Sequence, residues 1–170
     1  WAGFTYVAFV IDVFSRKIVG WKADTTMRAD LVTDTLEMAV WSRGRAGVTD
    51  FTGLIHHTDA GSQYVSLALN ERLAALGMRA SIGTVGDAFD NALAESTIGL
   101  FKNEAIRDGS PFRSGPLRTI DDVEWVTAGR VDWYNSRRLH STLGDIPPDE
   151  YEAAYYADLE TPAHPVLEPA

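Results

Sequence analysis

The sequence has no cysteine, and no apolar run in it is as long as a membrane span. Without cysteine there are no disulfides, no thiol chemistry and no cysteine-type zinc site, so carboxylates and four histidines remain as metal ligands. Such ligands favour a hard cation, Mg²⁺ or Mn²⁺. A bilayer span needs about 18 consecutive apolar residues. Because no basic region precedes an apolar signal segment either, we expect a soluble, cytoplasmic protein with no membrane partner.

Basic residues are also scarce: 15 Lys and Arg stand against 24 Asp and Glu, for a formal net charge of −9. This balance counts against nucleic-acid binding, because neutralising phosphates usually takes an excess of Lys and Arg on the contact face. One later segment nevertheless concentrates six arginines: Arg107, Arg113, Arg118, Arg130, Arg137 and Arg138. The segment predicts a basic stripe on an acidic domain, and a solvated charged surface is the alternative.

The apolar content, 45% of 170 residues, is enough for one globular domain with a core. A β-hairpin pattern over residues 6–23 is followed by alternating helical and strand patterns, which favours an α/β fold with a mixed sheet covered by helices. We expect the domain to occupy residues 1–155 and the tail, residues 156–170, to be flexible.

The longest predicted helix covers residues 91–107. Asp90 is its expected N-cap, and a glycine-containing loop precedes it. Its expected core stripe is Ala94, Ile98, Phe101 and Ala105. Other helices are predicted over residues 28–43, 66–76 and 119–134, with a short one around Tyr151.

Two acidic residues stand out by their context. Asp59 directly follows a predicted strand, and open α/β sheets place ligands at the carboxyl ends of strands. Glu95 lies one turn inside the longest helix. Two such carboxylates sharing a divalent cation would suit metal-assisted attack on a phosphodiester. Taken singly, the aspartate is more typical of a turn residue and the glutamate of a favourable helix-dipole partner.

The segments around these two acids carry a family resemblance. Residues 57–64 read HTDAGSQY and residues 86–95 read GDAFDNALAE, with 35 residues between Asp59 and Glu95. Further matching blocks are FKNE at 101–104, WYNSRRLH at 133–140 and VIDVFSR at 10–16. Over roughly residues 4–155 the sequence resembles the integrase-core transposases of bacterial insertion sequences, which are related to retroviral integrases and use an Asp-Asp-Glu catalytic set.

The resemblance implies a ribonuclease-H-like fold and a metal-dependent polynucleotidyl transferase that cleaves and transfers DNA strands in transposition. Asp59 and Glu95 are then the catalytic residues and ligands of Mg²⁺ or Mn²⁺. The implied partners are DNA, at transposon ends and at the target, and further copies of the chain. The implied DNA-binding residues are Lys102, Tyr134, Asn135, Arg138 and His140.

Each implied DNA contact has a structural alternative. Lys102 is equally well interpreted as a solvated lysine. Tyr134 is alternatively a core residue, with Arg138 and His140 interacting with the carbonyl groups that end its helix.

One departure from the family concerns its first catalytic aspartate, which lies on a central strand before the hairpin, whereas this chain opens at Trp1. We therefore expect the sheet to lack that strand and to expose edges that invite pairing with another chain. We also expect Asp59 and Glu95 alone to hold metal weakly and this chain alone to be inactive. Asp12 is expected to support the turn at Ser15 and Arg16 rather than to bind metal.

Two rival functions stay open at this point. One is a catalytically inactive remnant that acts only as an assembling or DNA-binding module. The other is a ribonuclease-H-type nuclease, which would need a fourth carboxylate after the long helix. Asp121 and Asp122 are candidates, although their position in a predicted capping box argues against that role.

Overall fold

The computed structural model describes residues 3–58, 66–82 and 88–160, with the backbone alone at 82, 88–91 and 160. Its strands are β1 (Tyr6–Ile11), β2 (Ile18–Asp24), β3 (Ile55–Thr58) and β4 (Arg79–Ile82). Its α-helices are α1 (Ala29–Arg45), α2 (Leu67–Ala75), α3 (Ala88–Phe101), α4 (Ile120–Ser136) and α5 (Pro148–Glu160). A π-helical turn (Lys102–Ile106) continues α3, and a 3₁₀ turn (Ser141–Leu143) precedes α5.

The four described strands form two separate pairs. β1 and β2 are antiparallel, with Tyr6 opposite Asp24 and Val10 opposite Gly20. β3 and β4 are parallel, in register from Ile55–Arg79 to Thr58–Ile82. Both orientations of the expected mixed sheet are therefore present, but no hydrogen bonds join the two pairs among the described strands.

The turn between β1 and β2 depends on Asp12, as predicted. One Asp12 carboxylate oxygen accepts a hydrogen bond from the backbone N–H of Ser15 at 2.8 Å, while Arg16 adopts a left-handed φ of 62°. The other oxygen pairs at 2.8 Å with Arg43 of α1, which also binds Glu152 of α5. Asp12 thus links the turn directly to α1 and, through Arg43, to α5.

Two predicted helix starts are confirmed by their caps. The Ser66 hydroxyl accepts a hydrogen bond from the N–H of Leu69 at 3.3 Å and begins α2. Thr119 and Asp122 form a reciprocal capping box at the start of α4. Gly77, with φ +70°, follows α2 in the left-handed conformation that ends many helices.

The predicted course of the longest helix is wrong in three respects. The α-helix begins at Ala88, so Asp90 lies inside it, and a π-helical turn replaces its last turn. Ile98 is 40% exposed instead of lying in the core. The buried stripe runs through Thr97 in its place, which is 1% exposed.

Three apolar clusters form the core. One lies between α1 and α2, a second joins Ile18 of β2 to α4, and a third joins α3 and its π-helical turn to Val126 of α4. The second and third clusters position the region that carries Glu95, because α4 contributes to both. At the carboxyl end, α5 extends to Glu160, beyond the boundary at 155 expected for the domain, and residues 161–170 lie outside the described residues.

No helix within the described ranges is long and apolar enough to cross a membrane.

Gly20 of β2 allows the closest approach of a strand to α1. A Cβ atom added there would lie 2.3 Å from the backbone oxygen of Thr35 and 2.9 Å from the backbone nitrogen of Ala39. We predict that Gly20→Ala lowers the free energy of unfolding by about 3 kcal/mol, because strand and helix must separate. Urea denaturation measures the change.

Gly44→Ala is the matched control, since a Cβ atom at Gly44, inside α1, meets nothing within 4 Å. The control should be neutral or stabilising by about 0.5–1 kcal/mol, because alanine favours the helix. Equal stability of Gly20→Ala and the natural protein would contradict this packing.

Candidate functional site

Of the two predicted catalytic acids, only Glu95 lies among the described residues. β3 ends at Thr58, and Asp59 itself lies outside the described residues together with positions 60–65 and 83–87. Glu95 is described: it is exposed on α3, the helix that packs against β3. Its carboxylate makes no hydrogen bond or ion pair with any described residue. Glu95 is therefore free to bind a ligand that approaches from solvent.

The two histidines of β3 face opposite sides of the strand. His57, two residues before Asp59, is exposed, whereas His56 is half-buried. The Nδ1 atom of His56 is buried with no hydrogen-bond partner among the described residues, and burial lowers the pKa of His56 from its ordinary value of 6.5. His56 is therefore neutral at pH 7.

Glu95 suits a hard cation, because its oxygens are exposed and uncommitted. Within residues 3–58, 66–82 and 88–160, no three His, Asp or Glu side chains converge into a metal-binding group. Asp12 is held by Ser15 and Arg43, which agrees with its predicted structural role. A complete metal site would thus need ligands beyond those described, and Asp59 is the predicted one.

The predicted basic stripe is largely neutralised by acids of the same chain. Four of its six arginines form ion pairs: Arg113 with Asp108, Arg137 with Asp132, and both Arg130 and Arg138 with Glu104. Arg107 and Arg118 are exposed and form no ion pair with a described residue, and the same holds for Lys102 at the start of the π-helical turn. The free positive charge is therefore confined to a few side chains.

Tyr134 occupies the core rather than the surface, in line with the alternative interpretation of this residue. Its side chain is 2% exposed and packs with Ile18 and Val131. Burial raises the pKa of Tyr134 from 10.0, and the neighbouring Thr97 and Arg130 side chains oppose this shift. The Arg130 guanidinium lies over the Tyr134 ring, 4.4 Å from its centroid, in a cation–π contact. The residue thus packs α4 against Ile18 of β2.

Asn135 binds the backbone of β2. Its side-chain oxygen accepts from the N–H of Ile18 at 2.9 Å, and its side-chain nitrogen donates to the carbonyl of Ile18 at 2.9 Å. The side-chain amide therefore satisfies both the backbone N–H and the backbone carbonyl of Ile18, as a neighbouring strand would. Both hydrogen-bonding ends of this side chain are already in use.

A charged cluster forms around Glu104, which sequence reasoning did not single out. Arg130 is fully buried and pairs with one Glu104 oxygen at 3.1 Å, and Arg138 pairs with the other oxygen at 3.1 Å. Burial lowers the pKa of the Arg130 guanidinium, and the neighbouring Glu104 carboxylate opposes this shift. The available signal was the FKNE block at 101–104, in which only Lys102 was assigned a role.

His140 lies against Tyr134, beyond the end of α4. Its ring lies 4.7 Å from the Tyr134 ring, and its buried Nε2 atom has no hydrogen-bond partner among the described residues. Burial, reinforced by the positive charge of Arg138, lowers the pKa of His140 from 6.5, so the imidazole is neutral at pH 7. Contact of Tyr134, Asn135, Arg138 and His140 with DNA stays a prediction.

The candidates for a fourth carboxylate differ in their availability. Asp122 accepts hydrogen bonds from the backbone N–H groups of Arg118 and Thr119, at 2.9 and 2.8 Å, and these bonds lower its pKa from 3.8. Asp122 is therefore occupied by the cap of α4. Asp121 is exposed on the first turn of the same helix.

Known structures share this arrangement of elements. The chain superposes on the catalytic core domain of BIV integrase with a TM-score of 0.56 at 14% identity, covering 92% of this chain and 91% of that one. It also superposes on the HTLV-2 integrase catalytic core domain in complex with magnesium, in a trimeric form, with a TM-score of 0.55 at 14% identity, covering 88% and 92%. The fold is thus the ribonuclease-H-like fold of integrase catalytic cores.

Sequence comparison gives the family. Two integrase core domain models match residues 1–88 and 76–148. The chain belongs to the integrase core domain family, which confirms the resemblance noted above. It is 52% identical over 163 residues to a putative transposase for insertion sequence element IS986/IS6110 of Mycobacterium tuberculosis, covering 96% of this chain and 57% of that protein. The chain thus spans little more than half the length of this relative.

The Glu104 cluster yields a stability prediction. Glu104→Gln leaves Arg130 buried without a counter-charge and should lower the free energy of unfolding by about 3–5 kcal/mol. Glu37→Gln is the control, because its partnership with Arg72 is exposed and should contribute less than about 1 kcal/mol. Guanidinium denaturation of both variants measures the difference. Equal losses would show that Glu104 does not neutralise a buried charge.

Proposed function

We propose that this chain is the catalytic core of a DNA transposase that cuts and joins DNA strands at the ends of a mobile element. The proposal rests on one observation above the others: Glu95 is an exposed carboxylate without a described partner, on the helix that packs against the strand leading to Asp59. Membership of the integrase core domain family and the transposase name of the mycobacterial relative support the same function.

The reaction is a phosphodiester exchange in two steps. The oxygen of water or of a 3′ hydroxyl attacks phosphorus, a new P–O bond forms, and the old bond to the 3′ oxygen breaks. That oxygen leaves as a 3′ hydroxyl after gaining a proton. In the second step the freed 3′ hydroxyl attacks a phosphodiester of the target DNA, again exchanging one P–O bond for another.

Asp59 and Glu95 are proposed to hold a divalent cation, Mg²⁺ or Mn²⁺. A bound cation of this kind lowers the pKa of the attacking oxygen and neutralises charge on the leaving oxygen. The neighbouring HTLV-2 core was solved in complex with magnesium. Among the described residues, Glu95 fits this role, since its carboxylate is exposed and forms no ion pair with a described Lys or Arg.

Among the five predicted DNA contacts, Lys102 has the side chain best suited to DNA. It lies seven residues after Glu95, about two helical turns away, and it is exposed without an ion pair to any described residue. We propose that Lys102 binds a phosphate of the DNA strand beside Glu95. Sequence readout would then come from elsewhere, because phosphate contacts position DNA without reading bases.

The catalytic pair is tested with Asp59→Asn and Glu95→Gln in the full-length protein. We expect each variant to lose at least about 1,000-fold in Mn²⁺-dependent cleavage of a terminal-repeat duplex, because each removes a ligand charge that the transition state needs. Glu95→Gln should leave the unfolding midpoint unchanged, because its carboxylate contacts no described residue.

Glu71→Gln, an exposed carboxylate on α2, is the matched control and should cleave like the natural protein. Cleavage by Glu95→Gln at the rate of the control would refute the assignment. Cleavage of an RNA–DNA hybrid in preference to the terminal-repeat duplex would favour the ribonuclease-H-type alternative.

Lys102 is tested by the salt dependence of DNA binding. We predict that Lys102→Ala weakens binding to all duplex sequences alike and reduces the slope of log K against log salt by about one. Lys22→Ala is the control, because Lys22 already pairs with Asp34. A slope unchanged in Lys102→Ala, measured by fluorescence anisotropy, would rule out a phosphate contact.

A further inference from the structure

We propose that Arg107 is a second phosphate-binding residue, aligned with Lys102 by the π-helical turn so that the two cations bind neighbouring phosphates of the DNA strand that passes Glu95. This inference deepens the proposed function and rests on it, because the strand is the one whose cleavage is assigned to Glu95. Arg107 lies outside the sequence blocks that carry the family resemblance.

The π-helical turn changes which residues share a face after α3. The backbone N–H of Arg107 donates to the carbonyl of Lys102 at 3.0 Å, so this turn closes over five residues instead of four. In a regular α-helix, residues five apart differ by about 500°, which leaves them about 140° apart around the axis. Residues joined by the turn-closing hydrogen bond instead lie one beyond the other, as i and i+4 do in an α-helix. The turn therefore places Arg107 on the same face as Lys102.

This face leads back to Glu95. Lys102 follows Glu95 by seven residues, which is within about 20° of two full turns of an α-helix. Glu95, Lys102 and Arg107 are all exposed, and their side chains form no ion pair or hydrogen bond with a described residue. The segment thus presents a free carboxylate suited to a metal ion, followed by two free cations on the same side.

The acids closest in sequence to the two cations are occupied by other partners. Glu104, inside the π-helical turn, binds two arginines of the α4 region at 3.1 Å each. Asp108, the residue directly after Arg107, pairs with Arg113 at 2.7 Å. Neither acid therefore competes with phosphate for Lys102 or Arg107. Two uncompensated positive charges on one face are complementary to two phosphates of a DNA strand.

The loop that follows holds the π-helical turn in place. Carbonyl groups at the end of a helix lack helical partners, but here other side chains bind them. The Ser110 hydroxyl donates to the carbonyl of Glu104 at 2.6 Å, and the Arg113 guanidinium donates to the carbonyl of Ile106 at 2.7 Å. The two cations thus start from defined backbone positions roughly 5 Å apart, one helical turn. Phosphates of one strand follow at about 3.4 Å along the DNA axis, so two long side chains can reach neighbouring phosphates.

The first test measures the salt dependence of duplex binding by the full-length protein without metal, using fluorescence anisotropy. We expect Arg107→Ala to lower the slope of log K against log salt by about one, and the double variant with Lys102→Ala to lower it by about two. Arg107→Lys should keep the natural slope, because lysine retains the charge. Arg107→Ala should also keep the natural unfolding midpoint, because the Arg107 side chain binds no described residue.

Arg118→Ala is the matched control. Arg118 is another exposed arginine without a described ion pair, but it precedes the capping box of α4 instead of following α3. The control changes the net charge by the same amount and should keep the natural slope. An equal fall in slope for Arg118→Ala and Arg107→Ala would show an effect of overall charge and would overturn the proposal.

The second test maps the two contacts on the DNA. A methylphosphonate removes the charge of one phosphate, so a variant that has already lost the contact is insensitive to that replacement. We expect two neighbouring phosphates of one strand to matter for the natural protein, with Arg107→Ala insensitive at one of them and Lys102→Ala at the other. Two positions more than about three nucleotides apart, or on opposite strands, would contradict the shared face. Natural sensitivity of Arg107→Ala at every phosphate would contradict the contact itself.

Failure of the proposed function would give a different pattern. Glu95→Gln would then cleave at the natural rate, and the role of Arg107 beside the cleaved strand would fall with it. If Glu95→Gln is inactive and Lys102→Ala lowers the slope, while Arg107→Ala behaves like Arg118→Ala, only the role of Arg107 is wrong.

Discussion

The fully buried guanidinium of Arg130 constrains the architecture around Glu95. A buried charge is stable only beside a counter-charge, and here the counter-charge is Glu104, at the end of the helical segment that carries Glu95. The requirement therefore fixes the relative position of α4 and this segment. Arg138 pairs with the remaining Glu104 oxygen. The Glu104 carboxylate, in the π-helical turn after α3, therefore binds one arginine inside α4 and one just after it.

The same pairing bears on the proposed binding of DNA by this acidic chain. The net charge of −9 repels phosphates at long range, and four of the six clustered arginines are already matched with acids. In the proposed complex, Lys102 is the side chain that would attract a phosphate beside Glu95. DNA binding through few phosphate contacts depends only weakly on salt concentration. The protein scaffold then has to hold those few contacts in place so that the DNA is oriented at the site.

Much of the fold follows from the sequence, because its local signals are strong. Asp12 at the hairpin turn, Ser66 before α2 and the Thr119–Asp122 box each acted as the sequence predicted, since a cap or turn involves only neighbouring residues. The family motifs also single out Glu95, whose carboxylate has no described partner, and its catalytic role stays a prediction.

What escaped prediction depends on contacts between distant segments. Thr97 is buried in place of Ile98 and lies near Tyr134, 37 positions later in the sequence, and no periodicity in α3 reveals that neighbour. The resemblance implied a DNA contact for Asn135, and the local sequence does not reveal its hydrogen bonds to the backbone of Ile18, 117 positions earlier. The arginines likewise looked like a free basic stripe because their acidic partners belong to other parts of the fold, as with Glu104 and Arg130.

The central claim is that Asp59 and Glu95 share one divalent cation. The most direct measurement is a crystal structure of the full-length protein with terminal-repeat DNA and Mn²⁺, located by its anomalous scattering. The account predicts Mn²⁺ within about 2.0–2.6 Å of oxygens from both carboxylates, the usual range for such ligands. Mn²⁺ bound elsewhere, or the two carboxylates directed to opposite sides of the fold, would contradict it.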